Sequence, residues 1–188
     1  MKFLSGILVG LMVLAVIGFV FLGTGRFNVA ATAKADVVDS LAPRVRDRSI
    51  ARYGSRAPIP PASDAMAAAR GLSHYAESCL ACHGAPGLNP AEFQQGMNPM
   101  PPSPEGPGVQ KYSDSELFWI VKNGVRMTGM PGFGVNHSDA EIGDIVAFVR
   151  HIPKLTPEET QLLQVAVNGA PPAGASVPVA PPPAPPSE

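Results

Sequence analysis

Residues 79–83 of the chain are Cys-Leu-Ala-Cys-His, and both cysteines of the protein lie in this stretch. Two thiols separated by two residues and followed directly by a histidine form the pattern of covalent c-type haem attachment. Each thiol can form a thioether with one vinyl group of the porphyrin, and the histidine can bind the iron through a ring nitrogen. We therefore predict one covalent haem c held by Cys79, Cys82 and His83.

A redox-active dithiol and a zinc site are the competing interpretations of the two cysteines. A catalytic dithiol of this spacing belongs in a strand–helix–strand context, which the surrounding sequence does not predict. A zinc ion would need a second close pair of ligands, and the chain has only two cysteines and four histidines. The cysteine count also argues against a disulfide-rich framework.

The sequence around the motif predicts an all-α, loop-rich haem domain at residues 64–167. Ser113 and Ser138 each begin a Ser-Asp-x-Glu capping box, and Thr156 precedes a proline and two glutamates in the order that starts a helix. The stretch 86–108 is too rich in proline and glycine to be regular. Four helices are expected, at about 64–80, 113–123, 138–151 and 156–169.

An uncharged apolar run of 20 residues, 3–22, lies near the N-terminus. At a rise of about 1.5 Å per residue it is about 30 Å long, the thickness of a bilayer core. A secretory signal has an apolar region of only about 7–15 residues, so residues 1–25 are interpreted as a retained transmembrane anchor. Cleavage of a signal remains the alternative, because residues 31–35 offer small residues at the spacing of a cleavage site.

The formal net charge of −1 conceals two regions of opposite sign. Residues 1–63 contain eight Lys and Arg against three Asp and Glu, whereas residues 64–167 contain six against eleven. Residues 26–63 are interpreted as a basic juxtamembrane stalk, whose mildly amphipathic part, 36–57, could instead be a docking surface or a contact with anionic lipids. Residues 168–188 contain eight prolines and are predicted to be a disordered tail. The sequence has no basic patch interleaved with aromatic residues, so nucleic acid is not expected as a partner.

The second axial ligand of the iron is left open by the residues alone. Met130 lies in a loop between two capped helices, where Gly129 permits close backbone approach and Pro131 fixes a turn. Methionine and histidine elsewhere are more often packing or surface residues. The other candidates are Met66, Met97, Met100, Met127, His74, His137 and His151.

Residues 64–155 resemble the class I c-type cytochromes in carrying the Cys-x-x-Cys-His motif first and Met130-Pro131-Gly132-Phe133 later. With Trp119 on the preceding helix, the chain resembles the membrane-anchored bacterial monohaem type more than the soluble mitochondrial carriers, and the resemblance extends weakly to the N-terminal anchor and the basic stalk. The resemblance implies Met130 as the second axial ligand, with Met127 next and Met97 or Met100 behind it.

The same resemblance implies two contacts around the cofactor. A glycine and an aromatic residue on the first helix of the family match Gly71 and Tyr75, and an aromatic residue on the last helix, which packs on that glycine, matches Phe148. A proline after the motif accepts a hydrogen bond from the other ring nitrogen of the histidine. Pro86 is expected to have this role, with Pro90 as the alternative.

Histidine and methionine together would saturate the iron, which implies a single-electron carrier rather than an enzyme. Covalent haem attachment takes place outside the bacterial cytoplasm, so the haem domain is expected in the periplasm, tethered to the inner membrane by one span. The expected partners are redox proteins of a respiratory chain: an oxidoreductase, an oxidase or a dehydrogenase. The alternatives are the cytochrome c subunit of a membrane-bound dehydrogenase complex and a ligand-binding or peroxidase-type haem protein.

Overall fold

The structure, a computed structural model, describes residues 2–25, 28–34, 37–58 and 66–167. The tail predicted at 168–188 lies outside these residues. Within them the regular elements are helical, which confirms the predicted all-α class, and one isolated β-bridge joins Ala85 and Leu88. The α-helices are α1 (Lys2–Gly23), α2 (Val37–Gly54), α3 (Ala67–Ser78), α4 (Leu80–His83), α5 (Pro107–Gln110), α6 (Asp114–Asn123), α7 (Asp139–His151) and α8 (Pro157–Val167). Short 3₁₀ turns occupy Glu92–Gly96, Phe133–Val135 and Ile152–Lys154.

The chain divides into two compact units, residues 1–40 and 41–188. Helix α1 belongs to the first unit. Its stretch Phe3–Phe21 has 19 apolar or uncharged residues, none of them buried. By length and composition α1 could therefore cross a membrane, as the sequence predicts.

The second unit is organised by the packing of α3 against α7. Helix α3 places Ala67, Gly71 and Tyr75 at intervals of four residues, so all three lie on one buried face. The ring of Tyr75 lies 5.3 Å from that of Phe148, between centroids. The close approach of the two helices depends on Gly71, because a Cβ atom there would lie 2.9 Å from Cβ of Phe148. The contact predicted between Gly71 and Phe148 is therefore present.

Buried apolar side chains from α3, α4, α6, α7 and α8 form one hydrophobic cluster. Tyr75, Phe118, Phe148, Ile142, Ile145, Ile152 and Leu163 are its largest fully buried members. Helix α8 adds Leu163 to this cluster, and its Glu159 accepts a hydrogen bond from His151 at the end of α7, with 2.9 Å between Nε2 and Oε2. Helix α8 thus contributes to the hydrophobic core of the second unit, which is not confined to the contact between α3 and α7.

Within the predicted juxtamembrane stalk, 26–63, the residues Val37–Gly54 form helix α2, and its part from Leu41 to Gly54 belongs to the second unit. Ile50 is 2 % exposed. The ring of Tyr53 stacks on that of Trp119 at 6.3 Å and 15°. A Cβ on Gly54 would lie 3.0 Å from Cα of Glu116, so the end of α2 lies directly against the start of α6. The last turns of α2 therefore pack on the rest of the second unit.

Both predicted capping boxes are formed. At α7, Ser138 Oγ accepts a hydrogen bond from the backbone N–H of Glu141, and the Glu141 carboxylate accepts one from the N–H of Ser138 at 2.7 Å. The bond from that backbone N–H is the main cause of a lowered pKa at Glu141. The ionised carboxylate therefore contributes stability above its unfolded pKa of about 4.5, and this contribution is lost as the pH falls through the lower pKa of the folded state.

A Glu141→Ala variant is expected to lose about 1 kcal/mol of its free energy of unfolding at pH 7, because the carboxylate that accepts from the N–H of Ser138 is removed. The loss should shrink as the pH is lowered from 7 to 3, because protonation of the wild-type carboxylate weakens its bond to Ser138 as the pH approaches its lowered pKa. Urea denaturation followed by circular dichroism at the two pH values measures this difference. Glu158→Ala is the matched control, since it removes a carboxylate from the first turn of α8 at a position other than that of the capping residue. An equal loss at both pH values would contradict the assignment.

Candidate functional site

One cleft in the second unit brings together the predicted haem-attachment and ligand residues. Cys79, Cys82, His83 and Met130 all line it. Its remaining walls are mainly apolar and come from α2, from the segments 97–104 and 108–112, from α6 and α7, and from the loop 125–133. The sequence-predicted site residues are therefore neighbours in the fold, although 47 positions separate His83 from Met130.

The attachment motif forms a single helical turn. The sequence predicts one helix to about residue 80, but α3 ends at Ser78, and Cys79 leaves ideal helical geometry with φ −119° before α4 begins. The backbone N–H of His83 then donates to the carbonyl of Cys79 at 2.9 Å. Both cysteines are free and half-buried, and burial raises the pKa of the Cys79 thiol to about 12. Two unpaired thiols therefore face the cleft from one turn.

The ring of His83 is oriented by Pro102. Its Nδ1 lies 2.8 Å from the carbonyl oxygen of Pro102. A carbonyl can only accept, so Nδ1 carries the proton and the lone pair of Nε2 is left available for a metal ion. This tautomer is the one that a proximal haem ligand requires.

The expectation that Pro86 or Pro90 orients His83 is wrong. Pro86 lies inside a tight turn, because Ala85 and Leu88 exchange backbone hydrogen bonds at 2.8 and 3.1 Å. Pro90 packs against Gly84, where a Cβ atom would lie 3.0 Å from its Cδ. The chain after the motif is thus folded back on itself, and the carbonyl that reaches the histidine comes from 19 residues downstream.

Prolines in the segment 97–104 present their carbonyls to side chains of the domain. Beside the bond from His83, the carbonyl of Pro101 accepts from Gln94 Nε2 at 3.3 Å, and that of Pro104 accepts from Gln110 Nε2 at 2.7 Å. Gln94 is 7 % exposed and Gln110 also donates to the carbonyl of Val149 at 3.0 Å, so these donors are themselves held in place. The segment is fixed at three points along one wall of the cleft.

Met130 is presented by a loop that closes on itself. The N–H of Val125 donates to the carbonyl of Met130 at 3.2 Å, and the N–H of Met130 donates to Thr128 Oγ1 at 3.1 Å. Gly124 has φ +67°, and a Cβ atom there would lie 2.5 Å from the carbonyl carbon of Pro131. This close contact ties the loop to the end of α6 and places Met130 in the cleft wall.

The structure narrows the other candidates for the second axial ligand. Met97 and Met100 line the cleft, whereas Met66 and Met127 do not. Met127 has φ +62°, and its side chain is 89 % exposed, so it lies away from the interior. Met97 is close to the ligand loop, because a Cβ atom on Gly129 would lie 2.1 Å from its methyl carbon. His83 lines the cleft, whereas His74, His137 and His151 do not.

The residues of the cleft fit a c-type haem. The two free thiols could form thioether bonds with the two vinyl groups of the porphyrin. The imidazole of His83, with its available Nε2, and the thioether of Met130 could bind the iron, and the apolar walls suit the porphyrin face. Among the described residues, no group of three His, Cys, Asp or Glu side chains is placed to hold a metal ion by itself. The donor set thus matches haem iron better than zinc.

Sequence reasoning missed three residues of this site, which are Pro102, Lys111 and Arg46. Pro102 lies among several prolines that spacing cannot tell apart. Lys111 precedes the capping box of α6 and reads as a surface charge. Arg46 has a signal in the sequence, since it lies four residues before Ile50 on the face of α2 that is buried in the structure.

Residues 66–149 match the family model described as cytochrome c oxidase, cbb3-type, subunit III. The matched segment contains the attachment motif, Pro102 and Met130, and it leaves out α1, α2 and α8. No curated protein matches the chain.

Proposed function

We propose that this chain, whose residues 66–149 form a bacterial class I c-type cytochrome domain, carries single electrons on one covalently bound haem c. The observation that carries the proposal is that Cys79, Cys82, His83 and Met130 line a single apolar cleft. When bound, the haem would supply an iron that alternates between the ferric and ferrous states.

Five residues of the cleft have distinct tasks in this proposal. Cys79 and Cys82 would hold the porphyrin by thioether bonds, and His83 would bind the iron through Nε2, while Pro102 keeps the proton on Nδ1. Met130 would be the second ligand of the iron, and its thioether sulfur would favour the ferrous state. With His83 and Met130 both bound to the iron, no coordination position would be left for a substrate, which fits a carrier rather than an enzyme.

In this proposal α1 anchors the protein as a single span in the bacterial inner membrane, and the haem domain functions in the periplasm. The apolar length of α1 supports the anchor. Maturation of covalent haem outside the cytoplasm supports the orientation. The partners would be redox proteins of a respiratory chain, an oxidoreductase, an oxidase or a dehydrogenase.

A second candidate function is that of a cytochrome subunit fixed within a larger respiratory complex. The description of the matching family, which names a subunit of an oxidase, favours this candidate. The sequence alone also admits a dehydrogenase complex. Extraction in mild detergent followed by gel filtration separates the candidates, because a shuttle elutes alone and a subunit elutes with its complex.

Carbon monoxide tests the carrier function on the protein extracted from bacterial membranes. We expect a reversible one-electron titration, and no shift of the Soret band when the reduced protein is exposed to carbon monoxide, because Met130 occupies the iron. N-terminal sequencing of the same preparation should show that the protein still begins at Met1. Carbon monoxide binding would support the ligand-binding alternative, and an N-terminus near residue 36 would contradict the anchor.

A further inference from the structure

Two fixed positive charges line a cleft that is otherwise mainly apolar. Of the residues that line it, Arg46 and Lys111 alone carry a fixed charge. A c-type haem carries two propionate groups, which are ionised at neutral pH. Carboxylates brought to the edge of an apolar cleft need cationic or hydrogen-bonding partners to offset their lost hydration.

Arg46 reaches the cleft because of the way helix α2 is packed. Arg46, Ile50, Tyr53 and Gly54 lie at spacings of four, seven and eight residues, which places them on one face. Arg46 and Ile50 line the cleft, while Tyr53 and Gly54 contact α6. The remaining arginines of the helix, Arg44, Arg48 and Arg52, are exposed. The sequence of α2 thus directs a single arginine inward.

The two cations belong to one connected corner. Asp47 accepts hydrogen bonds from Arg46 Nε at 3.0 Å, from Lys111 Nζ at 3.0 Å and from the hydroxyl of Tyr112 at 2.9 Å. Burial alone would raise the pKa of Asp47, but these three donors outweigh it and lower that pKa. Asp47 therefore joins α2 to the segment before α6 and holds the two cations near each other, with a net charge of +1.

We propose that α2 forms one wall of the haem cleft and that Arg46 and Lys111 pair with the haem propionates. This inference rests on the proposed function, and it concerns a helix that lies outside the segment matched by the family model. Cys79 and Cys82 fix the vinyl half of the porphyrin, so the propionates leave from the other half. The guanidinium of Arg46 can bind a carboxylate through two parallel hydrogen bonds, while Lys111 acts as a point charge.

The midpoint potential of the full-length haem protein tests this proposal. We expect Arg46→Gln to lower the ratio of reduced to oxidised protein at a fixed ambient potential by on the order of tenfold, about 59 mV for one electron. The physical reason is that removing a cation beside the haem favours the ferric state. Lys111→Gln should act in the same direction, and Arg46→Lys should restore most of the potential because it keeps the charge.

Arg48→Gln is the matched control, since Arg48 lies on the exposed side of the same helix. Haem content and circular dichroism are measured for every variant to establish that it is folded. Equal potentials for the Arg46→Gln variant and the wild type, with haem present, would overturn the role of Arg46 and leave the proposed function intact. An equal shift of the midpoint potential in the Arg46→Gln and Arg48→Gln variants would also overturn the role of Arg46. A wild-type chain that carries no covalent haem would overturn both proposals.

Discussion

A Gly71→Ala variant is expected to lose about 3 kcal/mol or more of its free energy of unfolding, a large part of the stability of a small domain. The added Cβ atom would lie 2.0 Å from the carbonyl oxygen of Asp144 and 2.6 Å from its carbonyl carbon. Both atoms are backbone atoms of α7, so no rotamer change can relieve the overlap. The helices would have to move apart and break the packing of Tyr75 on Phe148. Urea denaturation of the haem protein, followed by circular dichroism, measures the loss.

Gly96→Ala provides the control for that experiment. A Cβ atom on Gly96 meets no atom within 4 Å, and the residue lies in a 3₁₀ turn without a positive φ. Its substitution should change the free energy of unfolding by less than about 0.5 kcal/mol. A Gly71→Ala variant as stable as the Gly96→Ala variant would contradict the close crossing of α3 and α7.

A Met130→Ala variant is expected to lose the weak far-red charge-transfer band of the oxidised protein, which arises from a methionine sulfur bound to ferric iron. Its midpoint potential should fall by on the order of 100 mV, a fraction of the ~0.8 V range over which axial ligands tune haem potentials. The reason is that the thioether stabilises the ferrous state, and water or another residue in its place does so less. Optical spectroscopy and a redox titration of the haem protein provide the two measurements.

Met127→Leu and Met97→Leu are the informative comparisons. Met127 is exposed, so its substitution should leave both the band and the potential unchanged. Met97 lines the cleft beside Gly129, so its substitution should preserve the band while changing the packing around the loop. If the band survives in Met130→Ala and disappears in Met97→Leu, the ligand is Met97 and the assignment of Met130 is wrong.

Local features of this fold could be predicted from the sequence because short-range chemistry determines them. The capping boxes at Ser113 and Ser138 satisfy backbone groups within four residues, so the pattern alone located the starts of α6 and α7. The attachment motif likewise needs only one turn of helix. The contact of Gly71 with the last helix was predictable from the resemblance to a known family. The structure gives the physical reason, because a Cβ atom at position 71 would overlap with the carbonyl oxygen of Asp144.

Contacts across long segments could not be predicted in the same way. The partner of His83 depends on how the chain turns between Gly84 and Pro102, and several prolines in that stretch offer equivalent carbonyls. The docking of α2 was hidden for a different reason. Arginines occur on both sides of that helix, so its buried face, marked by Ile50, is a weak hydrophobic stripe within a basic sequence.

The segment that contains Pro101, Pro102 and Pro104 has a consequence for the speed of electron transfer. Proline fixes φ and has no N–H, so these residues offer carbonyls that few torsions can move, and three side chains hold those carbonyls in place. Every transfer requires the surroundings of the iron to relax from one charge state to the other. A cleft wall whose dipoles are already fixed relaxes little, so it lowers the reorganisation energy of the proposed carrier.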